Sequence, residues 1–414
     1  MYYAVEGCCH GNLDQIYCSI EELQRQRNIK IELLIVCGDF QAIRNADDLN
    51  CMAVPDKYRQ MGDFVDYYSG RKVAPVLTIF VGGNHEASNH LWELYYGGWV
   101  APKIYFLGFS GCVSYAGLRI AGVSGIYKQA DYHAPYDCKL PYNRSSIRSI
   151  YHTRECEIEK LLRLEGCATD IFISHDWPVG ITDYGNKEEL FKVKPFFRED
   201  VEKGALGNPH LMKVLKTLKP KFWFAAHLHC KFSASVDHGC CETKFLALDK
   251  SERGRNYLQV LCASHISQDE PRVFKYDISW LRIIKDTLTN APSTIRDRIT
   301  ERFDYNDCEQ LLIPSNFKRD VPYGYVSSKG RSNKFLSMES HQTLNFLKLV
   351  NCIDTPQYQQ DGKPALLKCR KRASCSTEDY NVEIIGQEND LDSLEIVVCQ
   401  CEGICHCNNP LECT

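Results

Sequence analysis

The sequence predicts an α/β (α+β) protein in which the ends of several strands converge on one site. Short apolar runs bounded by glycine, asparagine or aspartate alternate with amphipathic stretches over residues 1–230. This pattern is typical of strands buried on both faces and connected by helices. Five of the apolar runs are followed directly by a polar motif. Because ligands collect outside the carboxyl ends of strands in α/β sheets, motifs far apart in sequence can meet there.

The spacing of apolar residues places the individual elements. We predict strands at 2–5, 31–36, 76–81, 104–107, 118–121, 171–174 and 222–225, with two more at 245–248 and 257–262. We predict helices at 13–26, 153–163 and 211–218, the last because Leu211, Leu215 and Leu218 share one helical face. Beyond about residue 265 the segments 280–287 and 341–349 have helical, amphipathic patterns.

Bulk composition narrows the functional class. The chain has 414 residues, 44% hydrophobic, and a net charge of −4, so any nucleic acid must bind to a local basic patch. No apolar run approaches the roughly 20 residues that span a bilayer, and we expect no membrane partner. The acidic N-terminus leads straight into the first strand, so we expect no cleaved signal peptide. The 22 cysteines are then expected to be thiols or metal ligands in a reducing compartment.

Five short motifs carry the predicted chemistry. Together they offer imidazole nitrogens, a carboxylate, an amide oxygen and a thiol, which suffice for two metal ions, and paired metal ions hydrolyse phosphate esters. Histidines outside these motifs, at 90, 210, 238 and 265, are read as structural. In chain order the motifs are Cys8-Cys9-His10-Gly11, Gly38-Asp39-Phe40-Gln41, Gly83-Asn84-His85-Glu86, Ser174-His175-Asp176 and Ala226-His227-Leu228-His229.

Elementary chemistry suggests roles for the metal-binding side chains. Asp39 is the carboxylate of its motif and is expected to bridge the two ions, where its charge offsets their repulsion. If the segment from His227 to His229 is extended, the two rings point to opposite sides and each can serve one ion. Asn84 offers a neutral oxygen, which leaves its ion more electrophilic than a second carboxylate would.

His85 has a different predicted role. If Asn84 is a ligand, His85 is poorly placed to be one and is better placed to face the substrate as a general acid. Glu86 or Asp176 could then orient its ring.

The order of these motifs resembles that of the calcineurin-like metallophosphoesterases over about residues 1–240. That resemblance implies a four-layer sandwich of two mixed sheets flanked by helices, built around a dinuclear metal centre. The family normally has aspartate where this chain has Cys8. With Cys8 at this position, the chain instead resembles the RNA lariat debranching enzymes of that family. Several further stretches within residues 1–290 also resemble these enzymes. These stretches are Ser124-Gly125-Ile126-Tyr127-Lys128, Pro141-Tyr142-Asn143, residues 147–152, Ser174-His175-Asp176-Trp177-Pro178, and residues 226–232 and 244–250.

The resemblance implies a ligand set for each metal ion, with His85 as the proton donor. A thiolate from Cys8 favours zinc or ferrous iron, and we expect manganese to support activity as well. The alternative is that Cys8 is a small buried residue that binds nothing and leaves a one-metal enzyme. The implied ligands are Cys8, His10, Asp39 and His229 for one ion, and Asp39, Asn84, His175 and His227 for the other.

Residues 126–154 are expected to be an inserted recognition loop. They interleave cations with tyrosines, and cations contact phosphates while tyrosine faces stack unpaired bases at roughly 1–3 kcal/mol each. The alternative is a solvated loop whose tyrosines pack on the core. The candidate RNA contacts are Lys128, Tyr132, Tyr142, Asn143, Arg144 and Arg148.

We therefore predict a catalytic domain at 1–262, a smaller helical domain at 263–350, and a linker with a cysteine-rich tail at 351–414. The tail run from Cys399 to Cys407 could hold zinc or could be an irregular end. A basic cluster at 368–372 is compatible with nuclear import.

The resemblance implies hydrolysis of the 2′–5′ phosphodiester at the branch of excised intron lariats, with branched RNA as partner. We expect a nuclear monomer with no obligate protein partner. Two alternatives remain at this point. One is another metallophosphoesterase, such as a nuclease, a cyclic-nucleotide diesterase or a protein phosphatase. The other is a non-catalytic scaffold whose metal site has degenerated at Cys8.

Overall fold

Two mixed β-sheets pack face to face in the computed structural model, which describes residues 1–289, 311–324 and 340–352. The strands are β1 (Tyr2–Glu6), β2 (Ile31–Val36), β3 (Leu77–Phe80), β4 (Gly98–Ala101), β5 (Ile104–Phe106), β6 (Ser110–Tyr115), β7 (Leu118–Val123), β8 (Ile171–Ser174), β9 (Phe222–Ala225), β10 (Phe232–Asp237), β11 (Glu242–Ala247), β12 (Leu258–Cys262) and β13 (Phe274–Tyr276).

The helices lie outside the sheets. They are α1 (Leu13–Arg27), α2 (Ala46–Asn50), α3 (Phe64–Ser69), α4 (Ser88–Glu93), α5 (Gln129–Tyr132), α6 (Ser146–Ser149), α7 (Glu155–Leu162), α8 (Lys187–Val193), α9 (Phe197–Glu202), α10 (Pro209–Leu218), α11 (Ile278–Thr289) and α12 (His341–Cys352). Short 3₁₀ turns occur at Asp56–Tyr58 and Ile181–Tyr184. In the part of the chain described, no helix combines the length and apolarity needed to cross a membrane.

Parallel strands form the centre of both sheets. The first sheet has the order β12-β1-β2-β3-β5-β4, in which β1, β2, β3 and β5 are parallel and the two edge strands are antiparallel. The second has the order β10-β11-β9-β8-β7-β6-β13, with β11, β9, β8 and β7 parallel. The predicted α/β class and sandwich are confirmed.

The hydrophobic core is divided among the layers. Side chains such as Val5 and Ile35 of the first sheet meet Ile173 and Phe224 of the second in one apolar layer between the sheets. The outer face of the first sheet packs on α1 and α3, and the outer face of the second on α7, α10 and α11. This arrangement explains why strands such as β1 and β2 are apolar on both faces.

The structure contains four strands that the apolar pattern did not predict: β4, β6, β10 and β13. β6 reads Ser-Gly-Cys-Val-Ser-Tyr and β10 reads Phe-Ser-Ala-Ser-Val-Asp, so neither is a continuous apolar run. β4 and β13 are edge strands of four and three residues. β10 alternates apolar and polar residues, a strand pattern that a search for continuous apolar runs does not detect. β4, β6 and β13 are too short or too mixed in sequence to show a clear period, and pairing with neighbouring strands specifies them.

The predicted domain boundary at residue 262 does not separate two packing units. β13 lies beyond it and pairs antiparallel with β6 at the edge of the second sheet. α11 buries Trp280, Leu281 and Ile284 in the same core layer as α7 and α10. The segment after 262 therefore completes the sandwich, while the predicted linker and tail fall almost entirely outside the described residues.

A buried ion cluster fixes the loop that follows β2. Arg44, 4% exposed, donates to both oxygens of Asp48 and both oxygens of Glu93 over 2.8–3.1 Å. His90 Nδ1 lies 2.7 Å from the Ala42 carbonyl oxygen in the same region. Because Glu93 and His90 belong to α4, these contacts clamp the loop after β2 against the helix that follows β3.

Replacing Arg44 with methionine should lower the free energy of unfolding by about 3–5 kcal/mol, because the buried Asp48 and the partly buried Glu93 carboxylates lose their counter-ion. Urea titration monitored by circular dichroism measures this. Arg25→Met is the matched control, since Arg25 pairs with Glu22 on the exposed face of α1 and should change stability by about 0–1 kcal/mol. A loss below 1 kcal/mol for Arg44→Met would contradict the clamp.

Candidate metal centre

Five parallel strands deliver the predicted motif residues to one edge of the sandwich. β1, β2 and β3 of the first sheet end just before Cys8, Asp39 and Asn84. β8 and β9 of the second sheet end just before His175 and His227. The convergence expected from the strand-end rule is what the structure shows.

The backbone at this edge is turned sharply. His10, Asp39, His227 and His229 have φ angles of 48°, 48°, 64° and 50°, in the left-handed region that side-chain-bearing residues seldom adopt. The segment from His227 to His229 is therefore bent, so the condition of an extended segment, under which the two rings would point to opposite sides, is not met. Left-handed residues close together at one site are typical of functional centres that the surrounding fold holds in place.

The first cluster consists of Cys8, His10, Asp39 and His229. One ligand atom from each lies within 4.8 Å of all the others. His10 Nε2 is 3.1 Å from His229 Nε2 and 3.7 Å from Asp39 Oδ2. Nitrogen, oxygen and sulfur atoms at these separations surround a space suited to one divalent cation.

The second cluster contains His175, Asn84, Asp39 and His227. His175 Nε2 lies 3.4 Å from Asp39 Oδ1 and 3.3 Å from Asn84 Oδ1. The rings of His175 and His227 have centroids 4.9 Å apart. Asp39 thus presents Oδ2 to the first cluster and Oδ1 to the second, the position expected of a carboxylate that bridges two cations.

His175 is oriented by the backbone. Its Nδ1 donates to the Cys37 carbonyl oxygen over 2.8 Å, which leaves Nε2 directed at Asp39 and Asn84. A ring nitrogen held in this way by a carbonyl is the usual arrangement in metal-binding histidines.

Two glycines allow this close packing. A Cβ atom on Gly38 would lie 2.2 Å from His175 Nδ1, and one on Gly83 would lie 2.2 Å from Asp39 Oδ1. Both positions follow strands and precede a ligand residue, so glycine is required there because no side chain fits.

The protonation states suit cation binding. Burial raises the pKa of Asp39, but His175 and His10 outweigh it and hold that pKa well below its usual range. Burial lowers the pKa of His227 to about 3 and that of His229 to about 4. Burial lowers the pKa of His175, but Asp39 outweighs it and raises that pKa above its usual value. A carboxylate and neutral imidazoles are the forms that bind metal ions, so a cation binding here would displace a proton from His175.

Cys8 is a second exception. It is fully buried, and burial followed by the Asp39 and Glu6 carboxylates raises its pKa well above the usual value. The His227 backbone N–H donates to Cys8 Sγ over 3.1 Å and opposes this rise. A bound cation deprotonates a coordinating thiol, so Cys8 would hold a cation as the thiolate. The residues of both clusters therefore fit divalent metal ions.

His85 lies beside the first cluster. Its ring is half-buried with its centroid 5.3 Å from that of His10, and its backbone N–H donates to Asp39 Oδ1 over 2.8 Å. The prediction that Glu86 or Asp176 orients this ring does not fit the structure. Glu86 accepts from the backbone N–H groups of Phe40, Gln41 and Gly83, and Asp176 from those of Tyr127 and Trp177.

Comparison with known proteins identifies the family. Residues 1–231 match the family described as calcineurin-like phosphoesterase, and residues 240–297 match the lariat debranching enzyme C-terminal domain. The lariat debranching enzyme of Arabidopsis thaliana is 51% identical over 368 residues, covering 84% of this chain and 86% of that protein. The Homo sapiens enzyme is 45% identical, covering 88% of this chain and 71% of that protein.

The chain belongs to the lariat debranching enzymes. It also shares 50% identity over 427 residues with the lariat debranching enzyme of Mus musculus, with coverage of 92% of this chain and 76% of that protein. The predicted family and enzyme class are therefore confirmed, and the cofactor is a divalent metal ion, as the family implies.

In this debranching enzyme the predicted recognition loop divides into buried and exposed parts. Tyr132 is 4% exposed and its ring stacks on His210 at 3.7 Å between centroids, so no base can stack on it and this predicted RNA contact does not fit. Asn143 Oδ1 accepts from the Ser145 and Ser146 backbone N–H groups and is occupied in a turn. The exposed side chains of this loop include those of Lys128, Arg144 and Arg148.

Sequence reasoning missed two residues near the site. The Gln41 side-chain nitrogen lies 3.5 Å from His10 Nδ1, and its φ of 62° continues the bend after Asp39. Burial raises the pKa of Tyr151, with an opposing effect from Arg148 and a further rise from Asp39. Tyr151 belongs to the recognition loop, and its hydroxyl is one of the groups on which the Asp39 charge acts. No sequence pattern distinguishes either residue from an ordinary polar or aromatic side chain.

Replacing Cys8 with serine should reduce bound metal and activity together, because a hydroxyl does not become an anionic ligand as readily as a thiol does. Metal content by inductively coupled plasma mass spectrometry on protein purified without added metal measures this. Cys18→Ser on α1 is the control. Unchanged metal content in Cys8→Ser would show that Cys8 binds no ion and that the one-metal alternative is correct.

Proposed function

We propose that this enzyme hydrolyses the 2′–5′ phosphodiester at the branch of lariat RNA and releases linear RNA with a free 5′ phosphate. The observation that carries the proposal is the pair of ligand clusters sharing Asp39, at the C-terminal strand ends of a lariat debranching enzyme fold. Metal-dependent cleavage of a branched oligonucleotide, with a phosphopeptide as comparison substrate, tests it directly.

The metal ions would be held by the two clusters. Cys8, His10 and His229 would complete one site and Asn84, His175 and His227 the other, with Asp39 common to both. When bound, a pair of divalent cations lowers the pKa of water and neutralises the charge that develops on the phosphoryl oxygens.

His85 is the proposed proton donor. Its backbone N–H is anchored on Asp39, so the ring projects from the same turn that presents Asn84, yet its side chain remains half-buried and open to a substrate. The departing 2′ oxygen of the branch nucleotide requires a proton, and an imidazole at the edge of the site can supply it.

We further propose that the site with Cys8 selects zinc or ferrous iron, with manganese also supporting activity, since a sulfur ligand favours softer cations. Anomalous diffraction at the iron and zinc edges would identify the metal ions.

The proposed location is the nucleus, where intron lariats are released, and the proposed active form is a monomer.

His85→Ala should reduce cleavage of branched RNA by about 10²–10⁴-fold, the range typical of a lost general acid. The loss on bis(4-nitrophenyl) phosphate should be much smaller, because nitrophenolate leaves without a proton. Steady-state kinetics on the two substrates measures both losses. His238→Ala, in the β10–β11 hairpin, is the matched control. Equal losses on the two substrates would contradict a proton-donating role for His85.

The double variant Arg144→Ala/Arg148→Ala should weaken cleavage of branched RNA at least tenfold more than cleavage of the aryl phosphodiester, since only RNA presents extra phosphates. The kcat/KM values of the two substrates measure the difference. Arg25→Ala/Arg198→Ala removes two surface guanidinium groups elsewhere and serves as the control. Equal losses on both substrates would mean that the loop has a structural role only.

A further inference from the structure

A second cavity lies between the recognition loop and the segment after α2. Its volume is about 600 Å³, within the range of about 300–1,000 Å³ that is usual for small-ligand pockets. One wall comes from residues 50–59 and the other from residues 142–148. None of the clustered metal-binding side chains, nor His85, lines it, so the phosphate that is cleaved lies elsewhere.

The charges of this cavity are all of one sign. Arg59, Arg144 and Arg148 line it, and none of the described residues that line it is an aspartate or a glutamate. Neither Arg144 nor Arg148 forms an ion pair within residues 1–289, 311–324 and 340–352. Three guanidinium groups around one cavity favour a ligand that carries phosphate.

The Arg59 side chain is held in place by hydrogen bonds within the protein. Its Nε and a terminal nitrogen donate to the carbonyl oxygens of Val54 and Met52 over 3.3 and 3.4 Å. The side chain is 26% exposed, whereas its carboxylate partner Asp56 is 93% exposed and lies in solvent. A surface ion pair of this kind contributes little, so the guanidinium remains available to a phosphate.

The cavity also has an apolar part. Ala53, which is half-buried, and Pro55, which is exposed, line it, whereas Met52 and Val54 in the same wall are 0% and 7% exposed and offer little surface to a ligand. Tyr142 lines the opposite wall, and its buried hydroxyl has no hydrogen-bond partner among the described residues. An apolar floor, an aromatic ring and an unsatisfied hydroxyl suit a planar ring with polar edges, as a nucleobase has.

Packing connects this cavity to the catalytic edge. Met52 and Val54 belong to a small apolar cluster that includes Ile43, in the loop after Asp39, and Ala87, two residues after His85. A polynucleotide chain that enters the metal centre therefore has the cavity beside it.

We propose that this cavity binds one nucleotide of the substrate RNA next to the branch, other than the two joined by the scissile bond. Its base packs on Ala53 and Pro55 beside Tyr142, and its phosphate contacts Arg59 and Arg148. The inference rests on the proposed function, because it assigns a position to a further nucleotide of the same substrate.

The test compares a branched RNA that carries 3′–5′ arms with a 2′–5′-linked dinucleotide. Arg59→Gln should lower kcat/KM for the branched RNA about tenfold, through KM, because one charge-assisted contact is lost. It should also flatten the slope of log kcat/KM against log salt concentration by about 0.7–1. The loss on the dinucleotide should be at least fivefold smaller.

Matched variants separate this contact from general charge effects and from misfolding. Lys57→Gln removes a positive charge two residues away, from an exposed side chain outside the cavity lining, and should leave the salt slope at the wild-type value. Ala53→Trp should fill the cavity and raise KM for the branched RNA without any change in charge. Thermal unfolding checks that each variant is folded.

The outcomes are distinct. If the wild-type protein cleaves neither substrate, the proposed function fails. If it cleaves both, and Arg59→Gln behaves like Lys57→Gln or loses equally on both substrates, the nucleotide site is overturned while the proposed function stands.

Discussion

The whole catalytic edge depends on one buried carboxylate. Asp39 is 1% exposed and has histidine nitrogens on both sides, with His10 on one oxygen and His175 on the other. A buried anion is costly unless it is paired, and here the histidines offset that cost, as bound divalent metal ions would. The two ligand clusters exist as a pair because this one side chain faces both. The same oxygen that faces His175 also accepts the His85 backbone N–H, so the proposed proton donor and the metal centre are positioned together.

The Asp39 carboxylate is held in place by strained backbone conformations at and around the site. Asp39 is in a left-handed conformation, as are His10, His227 and His229. Glycines at 38 and 83 allow the strands to approach so closely that a single added carbon would collide with His175 or Asp39. The Glu86 carboxylate gathers the backbone N–H groups of Phe40, Gln41 and Gly83, and so ties the turn after β2 to the turn after β3. Glu86 therefore has a structural role close to the site, whereas the sequence suggested that it contacts His85.

In the recognition loop, some side chains pack against the protein whereas others are exposed. Tyr132 packs against His210, and the Arg154 guanidinium lies over the ring of Tyr136. These two tyrosines of the loop therefore pack against other side chains of the protein. The exposed cations Arg144 and Arg148 then face Arg59 across a cavity. A loop anchored in this way presents its cations at a fixed distance from the metal centre, which suits an enzyme that must recognise the shape of a branch.

The sequence by itself determined which chemical groups form the site and the order in which they follow one another along the chain. The strands before the five motifs could be predicted because they are continuously apolar, and the motif side chains because thiol, imidazole, carboxylate and amide at strand ends form a recognisable set. It did not determine β4, β6 or β13, whose short or mixed sequences specify a strand only beside a partner, whereas the alternating sequence of β10 does carry a strand signal. It also could not show that 227–229 is bent, that Tyr132 is buried, or that Arg59 faces Arg148. These features depend on contacts between residues distant in sequence, and only the packing of the two sheets and their loops decides which side chains meet.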